Sequence, residues 1–124
     1  MEIEHTKIFV ADDDDDILDV ISLMLRTQGY LVKTSVNGNE LFEYKEDELP
    51  SLILLDIWMK GVNGLEVYKK LKTSALTKSI PVIFFSANSN IEEVANKYGA
   101  NGFLSKPFEM KDLLMAISDN LVQV

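Results

Sequence analysis

Five polar side chains stand at the ends of short apolar runs in this sequence, and their types suit a metal site. Asp12 and Asp13 follow the first such run, Asp56 follows a later one, and Ser86 and Lys106 follow the last two. Three carboxylates held close together repel one another, whereas a hard divalent cation such as Mg²⁺ takes oxygen ligands and stabilises the cluster. The residue types therefore predict an acidic cation site with one hydroxyl and one ammonium beside it, if the fold brings them together.

The spacing of apolar residues predicts the elements that would position these side chains, because it alternates between strand-like runs and helical periods. Five strands are predicted, over Lys7–Ala11, Tyr30–Ser35, Leu52–Leu55, Ile80–Phe85 and Gly102–Leu104. Five helices are predicted, from Ile17 to a stop at Gly29, and over Glu40–Lys45, Leu65–Leu71, Ile91–Tyr98 and Met110–Leu121. The stretch from Gly61 to Gly64 is predicted to be a loop.

This alternation predicts an α/β chain with a doubly wound (βα)₅, flavodoxin-like fold and a five-stranded parallel sheet. Leu52–Leu55 and Val82–Phe85 are continuous apolar runs, as expected of central parallel strands that are buried on both faces. Right-handed crossovers favour the strand order 2-1-3-4-5, which opens a crevice beyond the carboxyl ends of the first and third strands. The five polar side chains would surround that crevice.

The composition describes an ordinary acidic globular chain. Its 124 residues fit one domain, over residues 1–124, and 47% of them are hydrophobic. The absence of cysteine excludes thiol catalysis and disulfides, and it suits a cytoplasmic location. A formal charge of −8 argues against direct binding of nucleic acid or an anionic membrane. The polar start from Met1 to Lys7 predicts no signal peptide, and no apolar run is long enough to span a bilayer.

Several short motifs resemble the receiver domain of two-component response regulators, of the chemotaxis-regulator type. They are Val10–Asp13, Leu54–Asp56, Phe85–Ala87, Leu104–Phe108 and the loop-like stretch Met59–Gly64. The resemblance runs in order through essentially the whole chain. It implies a phosphorelay role, in which Asp56 accepts a phosphoryl group from a sensor histidine kinase or a phosphotransfer protein and later loses it by slow self-dephosphorylation. A domain of this kind is a regulatory phosphoacceptor and not an enzyme.

The same resemblance implies a ligand set for Mg²⁺. Asp13, Asp56 and the backbone carbonyl of Trp58 would bind the metal directly, and Asp12 would act through bound water. The metal would let a carboxylate approach an anionic phosphoryl group and would neutralise charge in a loose transition state. Asp14–Asp16 are interpreted differently, as an acidic N-cap of the first helix.

The resemblance also assigns the groups around the phosphoryl site. Lys106 would place its ammonium, and Ser86 its hydroxyl, on the phosphoryl oxygens. The bond between Lys106 and Pro107 is expected to be cis, as is typical of the family, and to direct the lysine into the crevice. Ser86 and Phe103 would be the switch residues that respond to phosphorylation.

A partner-binding face is implied in the second half of the chain. It comprises the fourth helix, fifth strand and fifth helix of the predicted order, over Ile91–Tyr98, Phe103–Leu104 and Met110–Leu121. This face would change on phosphorylation and bind an output partner or a second receiver, so a phosphorylated homodimer is expected. Two positions depart from the family pattern, because Lys60 stands where Pro usually follows the Met and Asp15 stands where Pro is common. The loop at Lys60 is therefore expected to be more mobile.

A haloacid-dehalogenase-like, Mg²⁺-dependent phosphatase is the alternative. Its nucleophilic aspartate also follows the first strand in a D-x-D motif, which Asp13 and Asp15 resemble. Against it, Ile17 replaces the usual Thr or Val, and 124 residues leave no cap domain. An EF-hand is disfavoured, because Ile17 stands where its glycine is needed and Leu23 where its glutamate belongs. A flavodoxin-like cofactor module is disfavoured because no Ser/Thr/Gly-rich phosphate loop follows the first strand.

Overall fold

Continuous aliphatic runs form the middle of a five-stranded parallel sheet. The structure, a computed structural model, describes residues 6–121, so the chain start up to His5 lies outside the described residues. The strands are β1 (Lys7–Ala11), β2 (Leu31–Ser35), β3 (Leu52–Asp56), β4 (Val82–Ser86) and β5 (Gly102–Ser105). They lie in the order β2-β1-β3-β4-β5, all parallel, which confirms the predicted fold class and strand order. The domain extent of 1–124 stays a prediction.

Within residues 6–121, four α-helices cover the two faces of the sheet. They are α1 (Asp15–Thr27), α2 (Gly64–Thr73), α3 (Ile91–Tyr98) and α4 (Met110–Asn120). Helix α1 begins before the predicted Ile17, because the Asp14 side chain accepts hydrogen bonds from the amides of Asp16 and Ile17 and caps the helix. The acidic run therefore lies at the positive end of the helix dipole, as predicted for Asp14–Asp16.

The predicted second helix over Glu40–Lys45 is wrong. Two short 3₁₀ segments, Asn39–Phe42 and Glu46–Glu48, stand in its place. Leu41 is the one residue of these segments that is buried. An α-helical nucleus is costly to form, and so short a stretch with a single buried anchor gains too little packing to offset that cost.

The predicted loop at Gly61 to Gly64 is also partly structured. Trp58–Met59 pairs antiparallel with Val62–Asn63, and we call residues 58–63 the hairpin. Gly61 has a φ of 71°, and every residue with a positive φ in the described part of the chain is a glycine. A positive φ at the third residue only is the mark of a type II turn over residues 59–62. Helix α2 begins directly after the hairpin, with Asn63 as its N-cap.

Alternate strand residues point to opposite faces of the sheet and so supply two separate hydrophobic layers. Val10, Leu54 and Phe85 pack with helices α1 and α4 on one face. Their neighbours Phe9, Leu55 and Phe84 pack with helices α2 and α3 on the second face. This double cover explains why β3 and β4 are buried at every position. None of the helices within residues 6–121 is long and apolar enough to cross a membrane.

Candidate functional site

The carboxyl edge of the sheet gathers the acidic side chains predicted from the sequence. Asp12 follows β1, Asp56 is the last residue of β3, and Ser86 is the last residue of β4. Because parallel strands end at the same edge, these residues meet although they are far apart in the chain. One carboxylate oxygen from each of Asp12, Asp13 and Asp56 lies within 4.8 Å of the others.

Lys106 places its ammonium between two of these carboxylates. Its Nζ donates to Asp12 Oδ2 at 2.6 Å and to Asp56 Oδ2 at 3.1 Å. The backbone sets this position, because the Lys106 amide donates to the Ser86 carbonyl at 2.8 Å and so ties the end of β5 to that of β4. The ammonium also lies 4.8 Å from the ring centroid of Phe85, and the Lys106–Pro107 peptide bond is cis.

Burial and charge act in opposite directions on these groups. Removal from water raises the pKa of the Asp12 carboxyl above its ordinary value, although the hydrogen bonds from Lys106 and the Asp14 amide oppose that rise. Burial alone would lower the pKa of the Lys106 ammonium, but its hydrogen bonds to Asp12 and Asp56, together with the negative charges of these two carboxylates, outweigh burial and raise that pKa. Lys106 is therefore held as a cation.

Asp56 is both buried and oriented. Its exposed fraction is 4%, and its Oδ1 accepts from the Trp58 amide at 2.9 Å while Lys106 contacts Oδ2. Two hydrogen bonds to one carboxylate leave it little rotational freedom. The backbone of Trp58 thus lies beside Asp56, whereas Trp58 as a whole is 54% exposed. The role of the Trp58 carbonyl as a metal ligand stays a prediction.

Asp13 is exposed and is held by the hairpin. Its Oδ2 accepts from the backbone amide of Lys60 at 2.7 Å, across 47 positions of sequence. No pattern in the sequence predicts this contact, since every residue type except proline offers a backbone amide. The only available signal was the departure of Lys60 from the proline that is usual in the resembling family.

Ser86 and Phe103, the predicted switch residues, lie in different surroundings. Ser86 is buried, and its Oγ accepts from the Asn88 amide at 3.0 Å. It lines an open cleft of about 490 Å³ together with Asp56, Trp58 and Lys106. Phe103 is 39% exposed on β5 and does not line that cleft. Their part in a switch stays a prediction.

Gly64 is a second residue whose importance no pattern in the sequence predicts. A Cβ atom at this position would clash with the carbonyl oxygen of Asp56 and would lie 2.5 Å from the Cα of Ile57. The first turn of α2 therefore packs directly on the backbone that carries Asp56. Only a residue without a side chain allows so close an approach.

The donor set suits a hard divalent cation. Asp12, Asp13 and Asp56 offer only carboxylate oxygens, which are the ligands that Mg²⁺ and Ca²⁺ prefer. Two of them are buried beside each other, and Lys106 supplies one positive charge against three negative charges. A divalent cation would offset the remaining repulsion, so the residues present fit such an ion.

The ammonium of Lys106 should also stabilise the folded chain. Lys106→Met keeps much of the apolar stem but leaves buried Asp12 and Asp56 without their cation, so we expect the free energy of unfolding to fall by about 2–4 kcal/mol. Urea unfolding without divalent cations measures this loss. Lys111→Met is the matched control, because the Lys111–Glu109 pair is exposed and should contribute little. Equal stability of the two variants would contradict the prediction.

Comparison with known proteins places these features in one family. Residues 8–118 match the family model of the response regulator receiver domain. The chemotaxis response regulator CheY4 of Vibrio cholerae is 26% identical, with a TM-score of 0.81 over 93% of this chain and 98% of that one. Response regulator TrrA of Thermotoga maritima, in complex with Mg²⁺-BeF, is 26% identical, with a TM-score of 0.79 over 92% and 97% of the two chains.

A third solved structure shares the fold. It is the receiver domain of a sensor histidine kinase from Pseudomonas aeruginosa PAO1, with a magnesium ion coordinated in its active site cleft. It is 24% identical, with a TM-score of 0.81 over 93% of this chain and 96% of that one. The likeness therefore extends over nearly the full length of each chain.

Proposed function

This chain belongs to the response regulator receiver domain family, the receivers of phosphorelay signalling, and from that membership we propose that Asp56 is its phosphoacceptor. The donor would be a sensor histidine kinase or a phosphotransfer protein. The observation that supports this choice most is the position of Asp56, buried at the end of β3 with its two oxygens held by the Trp58 amide and by Lys106. Asp56 lines the open cleft together with Ser86 and Lys106, whereas Asp12 does not line it.

The transfer would exchange one bond to phosphorus for another. An oxygen of Asp56 bonds to phosphorus as the phosphorus–nitrogen bond of the donor phosphohistidine breaks, and the released imidazole takes up a proton. Asp12, Asp13 and Asp56, with the Trp58 carbonyl, would hold a divalent cation such as Mg²⁺, which supplies charge neutralisation for the phosphoryl oxygens. The Mg²⁺-BeF complex of the Thermotoga relative supports this assignment.

Lys106 and Ser86 would support the phosphoryl group directly. The Lys106 ammonium already contacts the Asp56 carboxylate, so a short movement would take it onto a phosphoryl oxygen attached there. The Ser86 hydroxyl lines the same cleft and would donate a hydrogen bond to that group. Hydrolysis of the acyl phosphate by water would return Asp56 to its starting state and make the signal transient.

The partner-binding face would consist of α3, β5 and α4. Phe103 on β5 and Met115 on α4 are exposed there, which suits contact with an output partner or a second phosphorylated receiver. Movement of Lys106 and Ser86 toward the phosphoryl group would reach this face through β5, whose end is tied to β4 by the Lys106 amide. Phe103 would respond to that movement.

The phosphatase alternative has less support. Its D-x-D motif needs Asp13 and Asp15 at one site, but Asp15 lies in the first turn of α1 and is outside the cluster of three carboxylates. Asp13 is exposed and is held by the hairpin, whereas Asp56 has the enclosed position. The geometry therefore favours Asp56 as the group that receives phosphorus.

Donor selectivity tests the proposed function. We expect acetyl phosphate and Mg²⁺ to add a single phosphoryl group, seen by intact-protein mass, because an acyl phosphate is a reactive donor. A phosphomonoester such as p-nitrophenyl phosphate should give no continuous release of phosphate. Steady monoester hydrolysis that Asp13→Asn abolishes and Asp56→Asn leaves intact would overturn the proposal and favour the phosphatase.

A further inference from the structure

The hairpin reaches the acid cluster through one backbone amide. The Lys60 N–H donates to Asp13 Oδ2 at 2.7 Å, whereas the Lys106 ammonium contacts Asp12 and Asp56. Among the described residues, Lys60 is the one that donates a hydrogen bond to the Asp13 carboxylate. Each acid of the cluster thus accepts from a main-chain amide, that of Asp14, Lys60 or Trp58, and the two buried acids also accept from the Lys106 ammonium.

We propose that Lys60 is a positioning residue for the cation site. Its amide holds Oδ2 of Asp13, which leaves Oδ1 of the same carboxylate for a divalent cation. Asp13 is exposed, so without this bond its side chain would sample several rotamers and would lose that freedom when it binds the ion. The inference rests on the proposed function, in which Asp13 is a cation ligand.

Asp13 gains this bond because Lys60 is not proline. Proline is usual at this position in the family and has no amide hydrogen, so a chain with proline here lacks the donor. Lys60 is the second residue of the type II turn, with a negative φ, and Gly61 is the third, with a φ of 71°. The second position of a type II turn accepts proline well. Lys60→Pro should therefore preserve the turn and remove the donor.

Two substitutions at Lys60 separate the amide from the side-chain charge. Lys60→Ala loses the ammonium and keeps the amide, whereas Lys60→Pro loses both, so their difference reports the hydrogen bond. The probe is Mg²⁺, titrated by calorimetry and by the fluorescence of Trp58, the single tryptophan. We expect the midpoint for Lys60→Pro to be roughly three- to tenfold higher than for Lys60→Ala, as for one charge-assisted hydrogen bond at an exposed site.

A double-mutant cycle distinguishes positioning of the Asp13 side chain from a general effect of proline on the structure of the hairpin. If Lys60 acts through Asp13, the two Lys60 variants should have equal Mg²⁺ midpoints in an Asp13→Ala background. A structural disturbance of the hairpin by proline would persist there. Hydrogen exchange of the Lys60 amide gives a readout that needs no metal, since Asp13→Ala should accelerate it severalfold relative to the wild type.

The outcomes separate this inference from the proposed function. Equal midpoints for Lys60→Pro and Lys60→Ala, or a proline effect that survives Asp13→Ala, would overturn the positioning role. A wild-type chain that binds Mg²⁺ with the expected Lys60 pattern but takes no phosphoryl group would overturn the proposed function alone. A wild-type chain without saturable Mg²⁺ binding would overturn both.

Discussion

Asp56→Asn should reduce phosphoryl uptake from acetyl phosphate to background. The amide oxygen of asparagine is neutral and a poor nucleophile, so it cannot form the acyl phosphate, while the side chain keeps almost the same shape. It can still accept a hydrogen bond from the Trp58 amide, which holds the wild-type carboxylate at 2.9 Å. The fold should therefore persist, and intact-protein mass after incubation with acetyl phosphate and Mg²⁺ measures the loss.

Asp14→Asn is the matched control for that experiment. Asp14 caps α1 and is not one of the three clustered acids, so its variant should take up a phosphoryl group about as fast as the wild type. Asparagine is also a good N-cap, so this change costs little stability. Labelling of Asp56→Asn at the rate of Asp14→Asn would show that another residue is the acceptor.

Gly64→Ala should cause a loss of stability that is large for the addition of one methyl group. The new Cβ would clash with the Asp56 carbonyl oxygen and would lie 2.5 Å from the Ile57 Cα. Both are main-chain atoms, at the last residue of β3 and at the residue that follows it. Neither can move without displacing β3 or the start of α2. We expect the free energy of unfolding to fall by about 3 kcal/mol or more. Urea unfolding measures this loss, and phosphoryl uptake should slow because Asp56 is displaced.

Gly61→Ala separates this steric effect from conformational strain. Gly61 has a φ of 71° and nothing within 4 Å of a built Cβ, so its substitution should cost only about 1 kcal/mol from the left-handed backbone. A Gly64→Ala variant that is no less stable than Gly61→Ala would show that α2 can withdraw from the Asp56 backbone at little cost.

The sheet was predictable because its strongest signals are local. Leu52–Asp56 and Val82–Ser86 are buried at every position, and such runs are visible in the sequence as unbroken apolar stretches that end in a polar residue. The grouping of Asp12, Asp56 and Ser86 then follows from the rule that parallel strands end at one edge. Their distances and hydrogen bonds do not follow from that rule.

The remaining features depend on contacts that leave no local pattern. The segment Glu40–Lys45 has helix-like spacing, but its form was decided by how little of it could be buried. The Lys60 amide donates to Asp13 across 47 positions of sequence. Gly64 packs against the Asp56 backbone, which is possible because glycine has no Cβ atom. Side-chain periodicity reports burial, whereas both of these contacts are made by the main chain.

The ion pair of Lys106 has a consequence for the order in which a growing chain acquires its site. Asp12 and Lys106 are separated by 94 positions, and Asp56 and Lys106 by 50. On the ribosome the acids emerge first, and the counter-charge becomes available only with the last strand of the sheet. A nascent or proteolysed chain that ends before β5 holds its acids without their ammonium. The paired state of the acid cluster is therefore restricted to molecules whose synthesis has passed Lys106.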